Sequence, residues 1–103
     1  MPNGTNVRPQ KWNNVIDLYD DGEYSAIWGN YDGSQSRVLG VRYNGGTKLG
    51  YPNMAGNPVW YIEPKFLRKT ILLSLLEKVI SSNLANRNEY INNLIIAIQE
   101  ENI

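Results

Sequence analysis

"DLYDDGEYSAIWGNYDGSQSRVLGVRY", residues 17–43, decides how this chain folds. Two Asp-Gly pairs, Asp21-Gly22 and Asp32-Gly33, separate three short stretches rich in aliphatic and aromatic residues. Such a pair between apolar stretches is a strong hairpin signal, because a tight two-residue turn needs positive φ at both central positions. The turns delimit strands over 14–20, 23–31 and 36–43. In the second strand, alternation sets Tyr24, Ala26 and Trp28 on one face and Ser25, Ile27, Gly29 and Tyr31 on the other. In the third it sets Leu39, Val41 and Tyr43 against Val38, Gly40 and Arg42. Three strands joined by tight turns make an antiparallel meander. Gly29 and Gly40 lie inside strands, where glycine weakens the ladder; each marks a bulge, strong curvature or the close approach of another group.

Beyond this stretch, "PVWYI" (58–62) reads as a fourth strand opened by Pro58, and the sequence changes character at Pro64. Proline is preorganised for the first helical position. "KFLRKTILLSLLEKVI" (65–80) contains neither Gly nor Pro, and Phe66, Leu67, Ile71, Leu75 and Val79, with Leu72, Leu76 and Ile80, form a broad apolar stripe. That width predicts burial against both the sheet and a second helix. "SSNLANRN" (81–88) interrupts the helix, and Asn86 or Asn88 is expected to cap the next one through its side chain. There, Ile91, Leu94, Ile95 and Ile98 follow helical spacing, with Asn92, Asn93 and Gln99 expected in water. Glu100 and Glu101 oppose the macrodipole at the C-terminal end, which predicts fraying.

The expected fold is α+β: a four-stranded antiparallel curved sheet (a meander) followed by two C-terminal helices packed on one face. Residues 1–12 read as a flexible N-terminal arm and 13–103 as a single domain, with the sheet over 13–62 and a helical hairpin over 64–101; 103 residues suit one domain. In element order alone, a four-stranded curved sheet followed by a helix is similar to the single-strand-binding transcriptional coactivators. That resemblance implies nucleic-acid binding through the sheet; the second helix here is extra.

Composition narrows the chemistry. Ten Lys/Arg balance ten Asp/Glu, and the chain has no histidine and no cysteine. The commonest general acid–base group and the thiol nucleophile are therefore absent, as are the ligands of structural zinc, haem and iron–sulfur clusters. Zero net charge gives no long-range attraction to nucleic acid or to an anionic membrane. Asp17, Asp20, Asp21, Glu23 and Asp32 form an acidic series, but the calcium-loop pattern fails at Tyr19. "NGGTKLG" (44–50) lacks the order and the following helix of a phosphate-binding loop. Glu23 and Glu63 have no partner whose spacing implies a shared site. The expectation is no metal, no cofactor and no catalytic residue.

The aromatic residues are the remaining signal. All except Tyr90 fall between Trp12 and Phe66. A sheet has two faces and two helices cover one, so Tyr24 and Trp28 on an open face near Arg42 would form an aromatic, cationic platform. "GYPNMAG" (50–56) puts Tyr51 and Met54 in a turn-rich crossover, and Trp60 and Tyr61 follow. The candidate contact residues are Tyr24, Trp28, Arg42, Tyr51, Met54, Trp60 and Tyr61. The functional expectation is a small non-catalytic binding or protein-interaction module that self-associates as a homo-dimer and takes a protein or small-molecule ligand. Single-stranded nucleic acid is the second reading. A small enzyme using carboxylate or tyrosine chemistry, with the 44–57 loops as a lid, is the third. No apolar run reaches about 18 residues, so no membrane span is expected. The lack of cysteine and the polar start "MPNGTNVRPQKW" give a cytoplasmic expectation. Asn3-Gly4-Thr5 fits a glycosylation sequon but is read as coincidence.

Overall fold

The computed structural model describes residue 9, residues 11–46 and residues 48–102. The sequon and nearly all of the expected arm lie outside these residues. The fold is α+β: a four-stranded antiparallel sheet followed by two C-terminal helices. Strands β1 (Trp12–Asp20), β2 (Tyr24–Tyr31) and β3 (Val38–Tyr43) are consecutive neighbours. A two-residue pairing, β4 (Asn53–Met54) with β5 (Asn57–Pro58), stands apart as its own ribbon. The chain then returns as β6 (Tyr61–Ile62) beside β3, where Gly40 faces Ile62 and Val41 faces Tyr61. Helices α1 (Lys65–Ile80) and α2 (Arg87–Glu101) complete the domain.

The two Asp-Gly pairs do form turns, by different means. At Asp32-Gly33 both residues have positive φ (51° and 78°), and the Ser34 N–H closes the turn on Tyr31 O at 3.0 Å. At Asp21-Gly22 the positive φ falls on Gly22 alone. There the Asp21 carboxylate does the bracing, accepting from the backbone N–H of Glu23 (2.9 Å) and Tyr24 (2.8 Å) and from the Tyr19 hydroxyl (2.9 Å). Asp20 accepts from Gly22 N–H. The acidic series is thus used to build the hairpin. Among the described residues no group of three Asp or Glu lies close enough to hold a metal ion.

Two strand expectations need correction. The first strand begins at Trp12, not residue 14, because the Trp12 indole lies across Gly40: a Cβ there would be 2.9 Å from the ring. The fourth strand is Tyr61–Ile62 rather than 58–62, since Asn57 and Pro58 pair with β4 instead. Gly29 faces an irregular stretch of β1 between Asn13 and Ile16, where Asn14 has φ 55°, and its missing Cβ leaves room for Val15. Bulge and close approach therefore account for both strand glycines.

The core divides across the sheet. On one face Leu18, Ala26, Trp28, Leu39 and Val41 meet Leu72, Leu75 and Val79 of α1 and Tyr90, Leu94 and Ala97 of α2. On the other, Trp12, Ile27 and Trp60 form a smaller core, flanked by Val15, Tyr31, Val38 and Ile62. The 49–60 crossover supplies the cover there. β2 is consequently buried on both sides over most of its length.

The helix ends also differ from expectation. Pro64 is the N-cap residue of α1 with extended geometry (ψ 151°), one position before the helix proper. Asn86 precedes α2 without a side-chain capping bond. Arg87 instead donates back to Ile80 O from Nε (3.2 Å) and Nη2 (2.8 Å), closing the end of α1 from the start of α2. Asn93 is not in water: its side-chain amide donates to Asp17 O at 2.7 Å, at a second irregularity of β1.

The expected fraying at Glu100 and Glu101 is offset by tertiary partners. Glu100 accepts from Trp28 Nε1 at 2.7 Å and from Arg37 Nε at 2.9 Å, and Glu101 lies 3.3 Å from Lys65 Nζ and 3.9 Å from Arg68. One β2 residue, one residue of the loop before β3 and two α1 residues therefore hold the last turn of α2. The Arg37 hydrogen bond, with the Trp28 bond and the Arg37 charge, keeps the Glu100 carboxyl below the usual carboxylate range despite some burial. Its stabilisation is therefore complete above that range and is lost as pH falls through the lowered value. Glu100→Gln is expected to cost about 1 kcal/mol at neutral pH, because the pair is partly exposed. The cost should shrink as the pH is lowered through the carboxylate range, as read by urea denaturation at several pH values.

Candidate functional site

Four tyrosines converge at one end of the helix-bearing sheet face. Tyr24 opens β2 and Tyr43 ends β3, and the two are cross-strand partners with ring centroids 5.1 Å apart in an edge-on arrangement. Tyr51 bridges to Tyr43 through paired backbone bonds of 2.7 and 2.9 Å. Tyr61 faces Val41 across the β3–β6 ladder. Period-2 alternation then puts Glu63 on the side of Tyr61. Its backbone is fixed by its N–H to Leu39 O (2.9 Å) and by Arg68 Nε donating to its carbonyl (3.0 Å). These side chains line a recess of about 350 Å³, floored by Val41 and bounded by Pro52. Tyr43, Tyr51 and Tyr61 are 60%, 65% and 50% exposed, whereas Tyr24 is half-buried.

Among the described residues, the recess is bordered by one carboxylate, Glu63, and one buried cation, Arg42. Burial pushes the Tyr24 phenol up to about 12, with the Glu63 charge and Tyr43 adding to the effect. Tyr24 is therefore a neutral hydroxyl at any physiological pH, and Glu63 supplies the negative charge nearby. Arg42 borders the recess by position, but its guanidinium is buried and spent elsewhere. Nη1 donates to Val59 O (2.7 Å) and Pro52 O (3.3 Å), Nη2 donates to Leu49 O, and the group lies 6.0 Å from the Trp60 ring centroid.

The expected platform of Tyr24, Trp28 and Arg42 does not exist. Register pairs Trp28 with Leu39 and Ser25 with Arg42, so Trp28 and Arg42 lie on opposite faces. The helices cover the Trp28 face, leaving that indole 1% exposed. The seven residues proposed from sequence fall in three places. Tyr24, Tyr51 and Tyr61 share the tyrosine recess, with Arg42 at its border. Met54 and Trp60 border a groove on the other face with Trp12 and Tyr31, Trp60 being largely buried. Trp28 borders a polar groove beside the Arg37–Glu100 pair. Sequence reasoning passed over Tyr43 and Glu63 as site residues. The signal was present: Tyr43 shares a face with Val41 and pairs with Tyr24, and Glu63 stands two residues after Tyr61.

No helix among the described residues is long and apolar enough to cross a membrane. No protein-family model matches the chain, and comparison with curated proteins and with solved structures returns no match.

Proposed function

We propose that this protein is a small non-catalytic binding module and that the tyrosine recess is its ligand-contact surface. The observation that carries the reading is the convergence of Tyr24, Tyr43, Tyr51 and Tyr61 on one concavity, three of them half or more exposed. Tyrosine supplies large, stiff contact area with a polar tip, so such a cluster favours ligands with flat or rounded apolar surface and one polar group. Its volume is at the small end of ligand pockets, which favours a small molecule or a single side chain of a partner. Single-stranded nucleic acid is disfavoured, because among the described residues the one cationic residue lining the recess is Arg42, whose guanidinium is already committed to three carbonyls. A mixed panel of aromatic, sugar and ammonium fragments tests the reading. Hits should perturb tyrosine-ring NMR signals of the four residues and be lost in Tyr51→Ala; a panel with no response at those rings defeats it.

A second observation favours self-association. Phe66, Leu73 and Ile80 recur at seven-residue spacing on α1 and are 81%, 46% and 51% exposed. Leu73 is central, so a two-fold axis beside it would set Leu73 against its own copy and Phe66 against Ile80 of the second chain. Light scattering across concentration should show a dimer, weakened by Leu73→Lys; a strict monomer at high micromolar concentration rules this out.

A further inference from the structure

We propose that the recess takes a small organic cation with an alkylammonium head, held against the tyrosine rings with Glu63 as its counter-charge. The inference rests on the tyrosine recess being the binding surface and adds the chemistry of its ligand. Aromatic rings carry negative electrostatic potential over their faces, and several around one concavity attract a weakly hydrated cation without hydrogen bonds. Here four such rings and one carboxylate surround a space of about 350 Å³. The cation in the lining, Arg42, is buried and keeps its charge, but its guanidinium donors are taken up by the carbonyls of Leu49, Pro52 and Val59.

The competing ligand chemistries fit less well. Among the described residues lining the recess, an anion would meet Glu63 and a single cation, Arg42, whose guanidinium already donates to three carbonyls. A sugar needs several fixed donors and acceptors along its hydroxyls, yet the side chains of the recess offer phenols and one carboxylate. The nearby amide of Asn44 is buried and engaged with Ser25 (3.0 Å) and Asp20 (3.3 Å). A neutral apolar group would gain from the rings but leave the carboxylate unanswered, so charge is the discriminating property.

The experiment compares choline with its neutral isostere 3,3-dimethylbutanol on the full chain, followed by tyrosine-ring NMR signals. Choline is expected to bind about three- to fivefold more tightly than the isostere, the increment of cation–π contacts to rings that are partly exposed. Glu63→Gln should bring the two ligands close to parity with the thermal midpoint unchanged. Tyr51→Ala, at a position 65% exposed, should weaken choline without unfolding the chain and serves if the first variant misfolds. Equal binding of the two at the tyrosines overturns the cation assignment while leaving the recess as a binding surface. No response to either also overturns it, and the fragment panel then decides separately whether the recess binds anything. Choline binding that perturbs other residues but not these rings overturns the inference as well.

Discussion

Arg42→Met is expected to lower the stability of this protein by about 3–4 kcal/mol, the largest loss from a single side chain outside the apolar core. Methionine preserves most of the aliphatic stem but removes donors to three backbone carbonyls, those of Leu49, Pro52 and Val59. Those carbonyls belong to the crossover that covers the second face of the sheet. A buried acceptor left unpaired costs roughly 1–3 kcal/mol, and water can recover part of that where the loop parts from the sheet. The cation's contact with Trp60 is lost as well. The native arrangement has costs of its own: burial lowers the Arg42 pKa, and Nε is buried without a hydrogen-bond partner. These offsets are why the expected figure stays below the sum of three broken bonds. Arg42→Lys should recover only a fraction, since one ammonium cannot span three carbonyls as a planar fork does. Chemical denaturation gives the stability change, and hydrogen exchange should place the lost protection in residues 43–60. A loss under 1 kcal/mol would mean that Trp60 packing alone holds the crossover down.

Gly50→Ala is expected to cost a further comparable amount, about 3 kcal/mol. Gly50 has φ +79°, and an added Cβ would overlap the carbonyl oxygen of Tyr43 and approach Arg42 Nη2 at 2.6 Å. That carbonyl accepts from Tyr51 N–H, so the bridge between Tyr43 and Tyr51 cannot move aside without losing its bonds. A side-chain clash could be relieved by a rotamer change; a clash with backbone cannot. Because both substitutions release the same crossover, the double variant should fall well short of the sum of the two. Thermal and urea denaturation of the two singles and the double measure this; full additivity would separate Gly50 from the Arg42 anchor. Gly50→Ala should also disorder the recess, since it displaces Tyr51.

These two residues show how unevenly the site was written into the sequence. Tyr61 and Glu63 could be assigned to one face by alternation, and Tyr24 and Tyr43 by the turn that sets the register. Tyr51 joins them only through an isolated bridge across a crossover, which has no periodicity to read. Arg42 looked like a surface cation beside aromatic rings. Its burial depends on where the 49–59 carbonyls arrive, and that is a long-range outcome. Glu100 looked like a charge in the wrong place on a helix, because the helix dipole is a local property and Trp28 and Arg37 lie more than sixty residues away in the chain.

Local chemistry was enough to set the element order. Two Asp-Gly turns, the period-2 runs around them, and sixteen residues free of Gly and Pro after Pro64 specify hairpins followed by a long helix. The choice of sheet face was left to tertiary structure. In β2, Ala26 and Trp28 on one side and Ile27 on the other are all suited to burial, and all three are buried. Alternation says which side chains share a face; it carries no preference between two apolar faces. Packing of the helices on the Ala26–Trp28 side settled that choice, and with it left the tyrosines at the far end of the same face open to a ligand.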